Sequence, residues 1–158
     1  MIEEAIQIAT EALIKPCEGY HKRLPDGGCA AYADPGTGAK PWTIGWGCTG
    51  PDINEDTVWS RQQAEERLEA EVLHFANGVL KLSPSLSSEP PRRLAAIISF
   101  AFNCGLGAYR VSTLKKRVDA KDWQEAQKEI VRWNKAAGRV LKGLTIRRQA
   151  EAKMLENV

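Results

Sequence analysis

Two acidic residues, Glu18 and Asp34, have the types and the spacing that could support acid–base chemistry. Glu18 follows a predicted helix, and a carboxylate at the C-terminal end of a helix faces the negative end of the helix dipole. Such a position suits a general acid better than a structural glutamate. Two carboxylates from different elements are what glycoside hydrolysis requires, because one protonates the leaving oxygen while the other assists water or attacks the sugar. A solvated glutamate and an aspartate in a turn before Pro35 also explain these residues, so both interpretations stay open here.

The segment that carries both acids is predicted to be a small lobe rich in loops and β-structure. A short amphipathic helix is predicted over residues 2–15, and Pro16 is expected to end it. Residues 17–59 contain frequent glycines and turn signals, with short strand-like stretches at 30–32 and 42–44. The expected strands and turns would bring side chains that are distant in sequence to one cleft.

The rest of the chain has the patterns of helices. Ser60 and Gln63 form a capping box at the start of a long helix that should run to about Leu82. The stretch from Arg92 to Cys104 is apolar on all sides, which predicts a buried central helix. Shorter helices are predicted near residues 112–118, 122–133 and 145–155.

Together these patterns predict a mostly helical α+β fold in a single domain of residues 1–158. A loop and β lobe of residues 17–59 would hold the active-site cleft. A larger helical lobe would comprise residues 1–16 and 60–158, and the long helix would join the two. A cleft between two such lobes is a common position for a ligand.

The charge of the chain is unevenly distributed. Residues 108–158 carry 13 Lys and Arg against 6 Asp and Glu, a net charge of +7, whereas residues 1–107 have a net charge of −5. This asymmetry predicts contact with an anionic partner such as a nucleic acid, a membrane surface or an anionic cell-wall polymer. A solvated helical surface explains the same residues. With two tryptophans in this region but no recognition-helix or RNA-binding motif, we do not expect a nucleic-acid partner.

The four cysteines and the N-terminus bear on the compartment and on cofactors. Cys17, Cys29, Cys48 and Cys104 are irregularly spaced and include no C-x-x-C pair, so we expect free thiols from a reducing compartment and no zinc site. The N-terminus lacks the features of a signal peptide, and no apolar run reaches the roughly 20 residues of a membrane span. Synthesis in the cytoplasm without stable membrane insertion is therefore expected.

Several motifs in order along the chain resemble one known family. Glu18-Gly19, Tyr32-x-Asp34 and Thr43-Ile44-Gly45-x-Gly47 resemble the cleft segment of the phage-type lysozyme (endolysin) family, which includes the phage T4 enzyme. Phe102-Asn103-Cys104-Gly105 resembles the end of the family's central helix. The C-terminal residues Trp133-Asn134 and 143–151 resemble its tryptophan and its Gly-Leu-x-x-Arg-Arg run.

The resemblance implies a lysozyme-like fold and a set of residue roles. Glu18 would be the general acid, Asp34 the base-like carboxylate, and Thr43 its helper in positioning the attacking water. Arg147 would be a cation near Glu18, and the residues expected to line the substrate cleft are Tyr32, Asn103 and Trp133.

The reaction implied by the resemblance is hydrolysis of the β-1,4 bond between N-acetylmuramic acid and N-acetylglucosamine in peptidoglycan. Inversion at the anomeric carbon is implied, with no metal or organic cofactor. A monomer that lyses the host of a phage or prophage is expected, released to the cell wall by a holin-type pore. Its basic C-terminal helices would contact an anionic envelope.

The sequence departs from the family's pattern in two places. The family commonly has a histidine after the Thr-Ile-Gly-x-Gly stretch, where this chain has Cys48. The loop between Glu18 and Asp34 is also longer, with residues 21–30 as the apparent insertion. This insertion lies beside the expected active site, so it could influence the choice of substrate or bring Cys17 near Cys29.

Three other functions are weighed against hydrolysis. Gly45-x-Gly47-x-x-Gly50 matches the dinucleotide-binding fingerprint, but Pro51 follows and no βαβ unit surrounds it. A lytic transglycosylase would cleave the same bond without water, and would have no use for Asp34 and Thr43 as water-positioning groups. A non-catalytic wall-binding relative would be expected to lack Glu18 or Asp34.

Overall fold

The structure is a computed structural model that describes residues 2–35 and 37–156. In chain order its elements are α1 (Ile2–Ile8), a π-helical segment (Ala9–Ile14), α2 (Lys15–Glu18), β1 (Cys29–Ala30), β2 (Val58–Trp59), α3 (Arg61–Leu82), a 3₁₀ helix (Pro84–Ser88), α4 (Pro91–Cys104), α5 (Leu106–Val111), α6 (Thr113–Asp119), α7 (Trp123–Ile130), β3 (Lys135–Ala136), β4 (Arg139–Val140) and α8 (Lys142–Leu155). β1 pairs with β2 and β3 pairs with β4, both antiparallel. The predicted mostly helical α+β fold is confirmed.

The described chain forms two compact units. The smaller unit comprises residues 18–71, and the larger one comprises residues 2–17 and 72–156. α3 therefore contributes residues to both units, whereas in the predicted lobes it belongs whole to the helical part. Among the described residues, no helix combines the length and the apolar character that crossing a membrane would require.

The N-terminal helical run continues past Pro16 to Glu18, so the prediction that Pro16 ends it is wrong. A proline inside an α-helix removes a hydrogen bond and clashes with the carbonyl one turn earlier. Here the turn before it is a π-helix, in which the Lys15 amide donates to the Thr10 carbonyl five residues back. The wider π turn changes the backbone spacing before the proline, and such π segments occur often near functional sites.

The core of the larger unit forms around α4, whose residues 93–101 are all buried. α1, the π-helical segment and α8 pack against it, and the Phe100 ring meets those of Tyr109 and Trp133 edge-on at 6.3 and 5.2 Å. The helix ends at Gly105, whose φ of 97° lies in a region that favours glycine. The predicted buried central helix, apolar on all sides, is confirmed.

A buried ionic cluster lies between α4 and α8. Glu151 is fully buried, and its carboxylate lies 2.7 Å from the Nε of Arg148 and 3.4 Å from the Nε of Arg147. The Ser99 hydroxyl donates to the same carboxylate at 2.6 Å, and Arg147 donates to the Ser99 carbonyl at 3.2 Å. Arg148 also contacts the Cys104 sulfur at 2.7 Å. Buried charges of both signs are thus paired with each other.

Two features of the larger unit were not predicted. α5 follows directly after Gly105, and β3 and β4 form a hairpin at residues 135–140. The helix before this hairpin, α7, was predicted to end at Trp133 but ends at Ile130. The two hairpin turn residues, Ala137 and Gly138, have φ of 51° and 77°. Positive φ at both central positions is the geometry of tight hairpin turns. The Asn134 side chain joins this hairpin to α8 through a 3.1 Å hydrogen bond to the Thr145 hydroxyl.

The smaller unit is held together by short β pairings and by the first part of α3. The predicted capping box is confirmed: the Gln63 amide donates to the Ser60 hydroxyl at 3.1 Å, and the Ser60 amide donates to the Gln63 side chain at 2.8 Å. The predicted strand-like stretches meet in an isolated antiparallel bridge between Tyr32 and Thr43. Beside it, β1 and β2 form the pairing of residues 29–30 with 58–59.

Cys48, which stands where the family commonly has a histidine, links the loop region to α3. Its thiol is buried and lies 3.6 Å from a Glu71 carboxylate oxygen. Burial and the Glu71 charge raise the pKa of this thiol to about 12, so it stays protonated and can donate to the carboxylate. Arg67 continues the chain of contacts, binding Glu71 at 3.1 Å and Asp52 at 2.8 Å. All four cysteines are free thiols.

Candidate active site

A cavity of about 600 Å³ in the smaller unit brings together the three residues expected to be catalytic. Its lining residues are Glu18, His21, Lys22, Tyr32, Asp34, Pro35, Thr43 and Gly47. Four of these, Glu18, Tyr32, Asp34 and Thr43, are predicted site residues. His21, Lys22 and Gly47 belong to stretches that the sequence singles out, but their place at the cavity emerges only from the structure.

The bridge between Tyr32 and Thr43 places their side chains on one face and brings Asp34 close to them in the chain. The two residues exchange both backbone hydrogen bonds, at 2.8 and 2.9 Å. Side chains directly opposite each other in an antiparallel pair lie on the same face, and a residue two positions along the strand returns to that face. Asp34 is two positions from Tyr32, but its amide donates to the Ala39 carbonyl, so the regular pairing ends before it and Asp34 reaches the same cavity through its turn.

Glu18 is the last residue of α2, and two neighbours hold its backbone. Gly19 has a φ of 73°, the left-handed conformation that commonly follows a helix. The Nε2 of His21 lies 3.0 Å from the Glu18 carbonyl oxygen, which is one of the carbonyls that a helix end leaves without an intrahelical partner. The His21 ring also meets the Tyr32 ring edge-on at 5.4 Å. Glu18 therefore lies at a capped helix end.

The carboxylate of Asp34 is oriented by its own turn. The Thr37 amide donates to the Asp34 Oδ2 at 3.1 Å, and the Asp34 amide donates to the Ala39 carbonyl at 3.0 Å. These are the contacts of a turn aspartate, and they leave Asp34 half-buried at the cavity wall. Asp34 is thus both a turn residue and a residue of the cavity wall.

The pKa of the Tyr32 phenol is raised by its surroundings in the cavity. Burial raises the pKa of its phenol, and the Glu18 carboxylate and the Cys48 thiol raise it further. The hydroxyl is therefore protonated at neutral pH and can donate a hydrogen bond to a ligand.

Gly47 is required beside Glu18 for steric reasons. A Cβ on Gly47 would lie 2.9 Å from the Glu18 Oε2, and the residue has a φ of 76°. A side chain there would displace the carboxylate and would also strain the backbone.

We expect Gly47→Ala to reduce lytic activity at least about tenfold, since a 1 Å displacement of a catalytic group can reduce the rate 100-fold. Gly138→Ala is the matched control, because Gly138 has a φ of 77° with no atom within 4 Å of an added Cβ. Both variants should lose about 1 kcal/mol of unfolding free energy in urea titrations. Equal activity of the two variants would show that space beside Glu18 is not needed.

The remaining predicted site residues belong to the larger unit. Arg147 is buried and contacts Glu151 and Ser99, as described above. Asn103 is exposed near the end of α4, and Trp133 is half-buried with its ring against Phe100. The roles predicted for Arg147 near Glu18, and for Asn103 and Trp133 in binding substrate, stay predictions.

The local structure also bears on the alternative sites. Gly50 is followed by a turn, and α3 begins only at Arg61, so the third glycine of the fingerprint-like run does not open a helix. Within residues 2–35 and 37–156, no group of three or more His, Cys, Asp or Glu side chains is placed to hold a metal ion.

Comparison with known proteins identifies the family. The model of the family described as phage lysozyme matches residues 27–151, which is most of the chain. This chain belongs to the phage lysozyme family. Lysozymes are glycoside hydrolases, and the family is the one that the sequence motifs predicted.

This chain is also similar in sequence to individual phage endolysins. An endolysin of Bacillus phage B103 is 39% identical over 112 residues, which are 71% of this chain and 42% of that protein. An endolysin of Acyrthosiphon pisum secondary endosymbiont phage 1 is 34% identical over 123 residues, covering 73% of this chain and 80% of that protein. The chain thus spans less than half of the length of the Bacillus phage relative.

A solved structure supports the lysozyme-like fold. The endolysin from an Escherichia coli phage, FAHEc1, superposes with a TM-score of 0.73 at 26% identity, covering 96% of this chain and 90% of that one. The comparison therefore confirms the lysozyme-like fold that was predicted for this chain.

Proposed function

We propose that this chain hydrolyses the β-1,4 bond between N-acetylmuramic acid and N-acetylglucosamine in bacterial peptidoglycan. The observation that supports this most directly is the cavity in which Glu18, Asp34 and Thr43 all take part. Membership of the phage lysozyme family and the resemblance to endolysins support the cell wall as the substrate.

In this mechanism Glu18 is the general acid that protonates the leaving glycosidic oxygen. Asp34 acts as the base-like carboxylate, and Thr43 helps it to position the attacking water. A water that attacks the face opposite the leaving group inverts the anomeric configuration. Tyr32, Asn103 and Trp133 would bind the sugars, and Arg147 would hold Glu18 in place. No step requires a metal or an organic cofactor.

Hydrolysis is favoured over the transglycosylase alternative by the shared cavity of Asp34 and Thr43. A transglycosylase needs an acid but has no water to direct, so a carboxylate and a hydroxyl in the same cavity as the acid would lack a function. A non-catalytic wall-binding role is disfavoured because the cavity retains both carboxylates.

The test is digestion of purified peptidoglycan with identification of the released fragments by mass spectrometry. Hydrolysis produces muropeptides with reducing ends, which gain the mass of one water per bond cleaved. Anhydro-muropeptides would identify a transglycosylase, and intact strands with bound protein would identify a wall-binding protein. Digestion in ¹⁸O-labelled water should place the label at the new reducing end.

We further propose that the protein acts as a monomer in host lysis by a phage or prophage. It would be made in the host cytoplasm and reach the wall through a holin-type pore. The net charge of +7 on residues 108–158 supports electrostatic contact with the anionic envelope. A nucleic-acid partner is not part of this proposal.

A further inference from the structure

The insertion at residues 21–30 contributes two residues to the lining of the candidate cavity. His21 and Lys22 line it together with Glu18 and Asp34. His21 caps the helix end, as described above. The Lys22 side chain makes no hydrogen bond or ion pair with any residue in 2–35 or 37–156, so its charge is the feature to be explained.

The insertion forms a hydrogen-bonded hairpin that holds Lys22 in position. The Ala30 amide donates to the Lys22 carbonyl at 3.1 Å, and the Leu24 amide donates to the Gly28 carbonyl at 2.8 Å. The Tyr20 hydroxyl donates to the Gly27 carbonyl at 2.9 Å and so fixes the tip of the hairpin. Lys22 is therefore located by a defined local structure within the smaller unit.

Lys22 has an unfavourable backbone conformation for a residue with a side chain. Its φ is 51°, in the left-handed region where glycine, asparagine and aspartate are common and lysine is not. Strained conformations of this kind persist where the surrounding structure holds them, and they cluster at functional sites. A glycine at this position would satisfy the backbone, but it would bring no charge to the cavity.

The ammonium group of Lys22 is available to a ligand. Lys22 is exposed, and among the described residues no carboxylate lies within 4.0 Å of it, although Glu18 and Asp34 line the same cavity. By comparison, Lys115 is paired with Asp119 at 2.6 Å and Lys128 with Glu125 at 3.1 Å. A cation at the edge of an acidic cavity can bind an anionic group of the substrate without neutralising the catalytic acids.

We propose that Lys22 is a specificity residue that binds a carboxylate of the peptide attached to the muramic acid sugar. This inference rests on the proposed function. Stem peptides of peptidoglycan carry free carboxylates close to the glycan strand, whereas the sugars themselves are uncharged in chitin-like polymers. A charge-assisted hydrogen bond from Lys22 would therefore favour strands that bear acidic peptides.

The test compares two forms of soluble peptidoglycan fragments, one with free peptide carboxylates and one in which they have been converted to amides. Lys22→Gln should lower kcat/KM about fivefold on the acidic fragments, the effect of an exposed ion pair at the upper end of its usual contribution. The change should lie in KM, because substrate and transition state are bound equally. On the amidated fragments the variant should be within about twofold of the unsubstituted enzyme, which itself is slower there.

Three further variants control for charge and for folding. Lys22→Arg keeps the cation and should keep the preference for acidic fragments. Arg23→Gln removes the neighbouring charge, which lies over the Tyr20 ring and outside the cavity lining, and should leave kcat/KM unchanged. Lys22→Gly should reproduce the KM effect while raising Tm by about 2–4 °C, since it relieves the left-handed strain.

The outcomes separate this inference from the proposed function. An equal loss on acidic and amidated fragments, an equal effect of Arg23→Gln, or no effect of Lys22→Gln would overturn the role of Lys22. If the unsubstituted enzyme releases no reducing-end fragments from either substrate, the proposed hydrolysis itself is wrong.

Discussion

Replacing Glu18 with glutamine should lower kcat for peptidoglycan hydrolysis by about 10²–10⁴-fold, the usual contribution of a general acid. The amide has nearly the same shape as the carboxylic acid, but it cannot give a proton to the leaving oxygen. Glu18 lies at the end of α2 beside Gly47, in a cavity shared with Asp34 and Thr43. The substitution therefore changes proton transfer while the cavity keeps its form.

The measurement is the rate of reducing-end release from purified peptidoglycan, with circular dichroism to verify folding. Glu66→Gln is the matched control, because its carboxylate is exposed on α3 and accepts a hydrogen bond from Gln62. The control should keep full activity. Near-normal activity of Glu18→Gln would mean that another residue is the acid.

Replacing Glu151 with alanine should have the largest effect on stability, a loss of about 3–5 kcal/mol of unfolding free energy. The side chains of Glu151 and Arg148 are both fully buried, and that of Arg147 is 4% exposed. Removing the carboxylate leaves two guanidinium groups without their anion in the protein interior. The penalty comes mainly from these uncompensated charges, and to a smaller degree from the lost ion pair itself.

Urea denaturation monitored by tryptophan fluorescence would measure this loss. Glu11→Ala is the control, because its ion pair with Lys15 has a similar length of 3.0 Å but its side chain is 59% exposed. An exposed pair contributes at most about 1 kcal/mol. If the two variants lost similar free energies, burial would not determine the strength of the Glu151 cluster.

Elements with local signals could be predicted from the amino-acid sequence alone. The capping box of Ser60 and Gln63 defines the start of α3, because both hydrogen bonds form within one turn. The apolar stretch of α4 indicates a buried helix without any knowledge of its neighbours. The ordered motifs from Glu18 to Glu151 were sufficient to recognise the phage lysozyme family. The roles given to Glu18, Asp34 and Thr43 stay proposals.

Short elements were less predictable. Strands of two residues, such as β3 and β4, are too short for a periodic pattern, so their hairpin has no signal beyond its turn. Pro16 is a strong local signal for a helix end, but the π-helical turn before it allows the helix to continue. The backbone of the whole segment, and not the proline alone, decides where the helix ends.

Which residues share the cavity depends on long-range contacts that the sequence does not reveal. Asp34 and Thr43 share the cavity because Tyr32 pairs with Thr43 and because Asp34 belongs to a turn in which its amide donates to the Ala39 carbonyl. Cys48 meets Glu71 across 23 positions of sequence, and Lys22 reaches the cavity because its hairpin closes on Ala30. Such contacts depend on the pairing of segments that are distant in sequence. The free energy of this pairing is distributed over many residues, so no local sequence pattern predicts it.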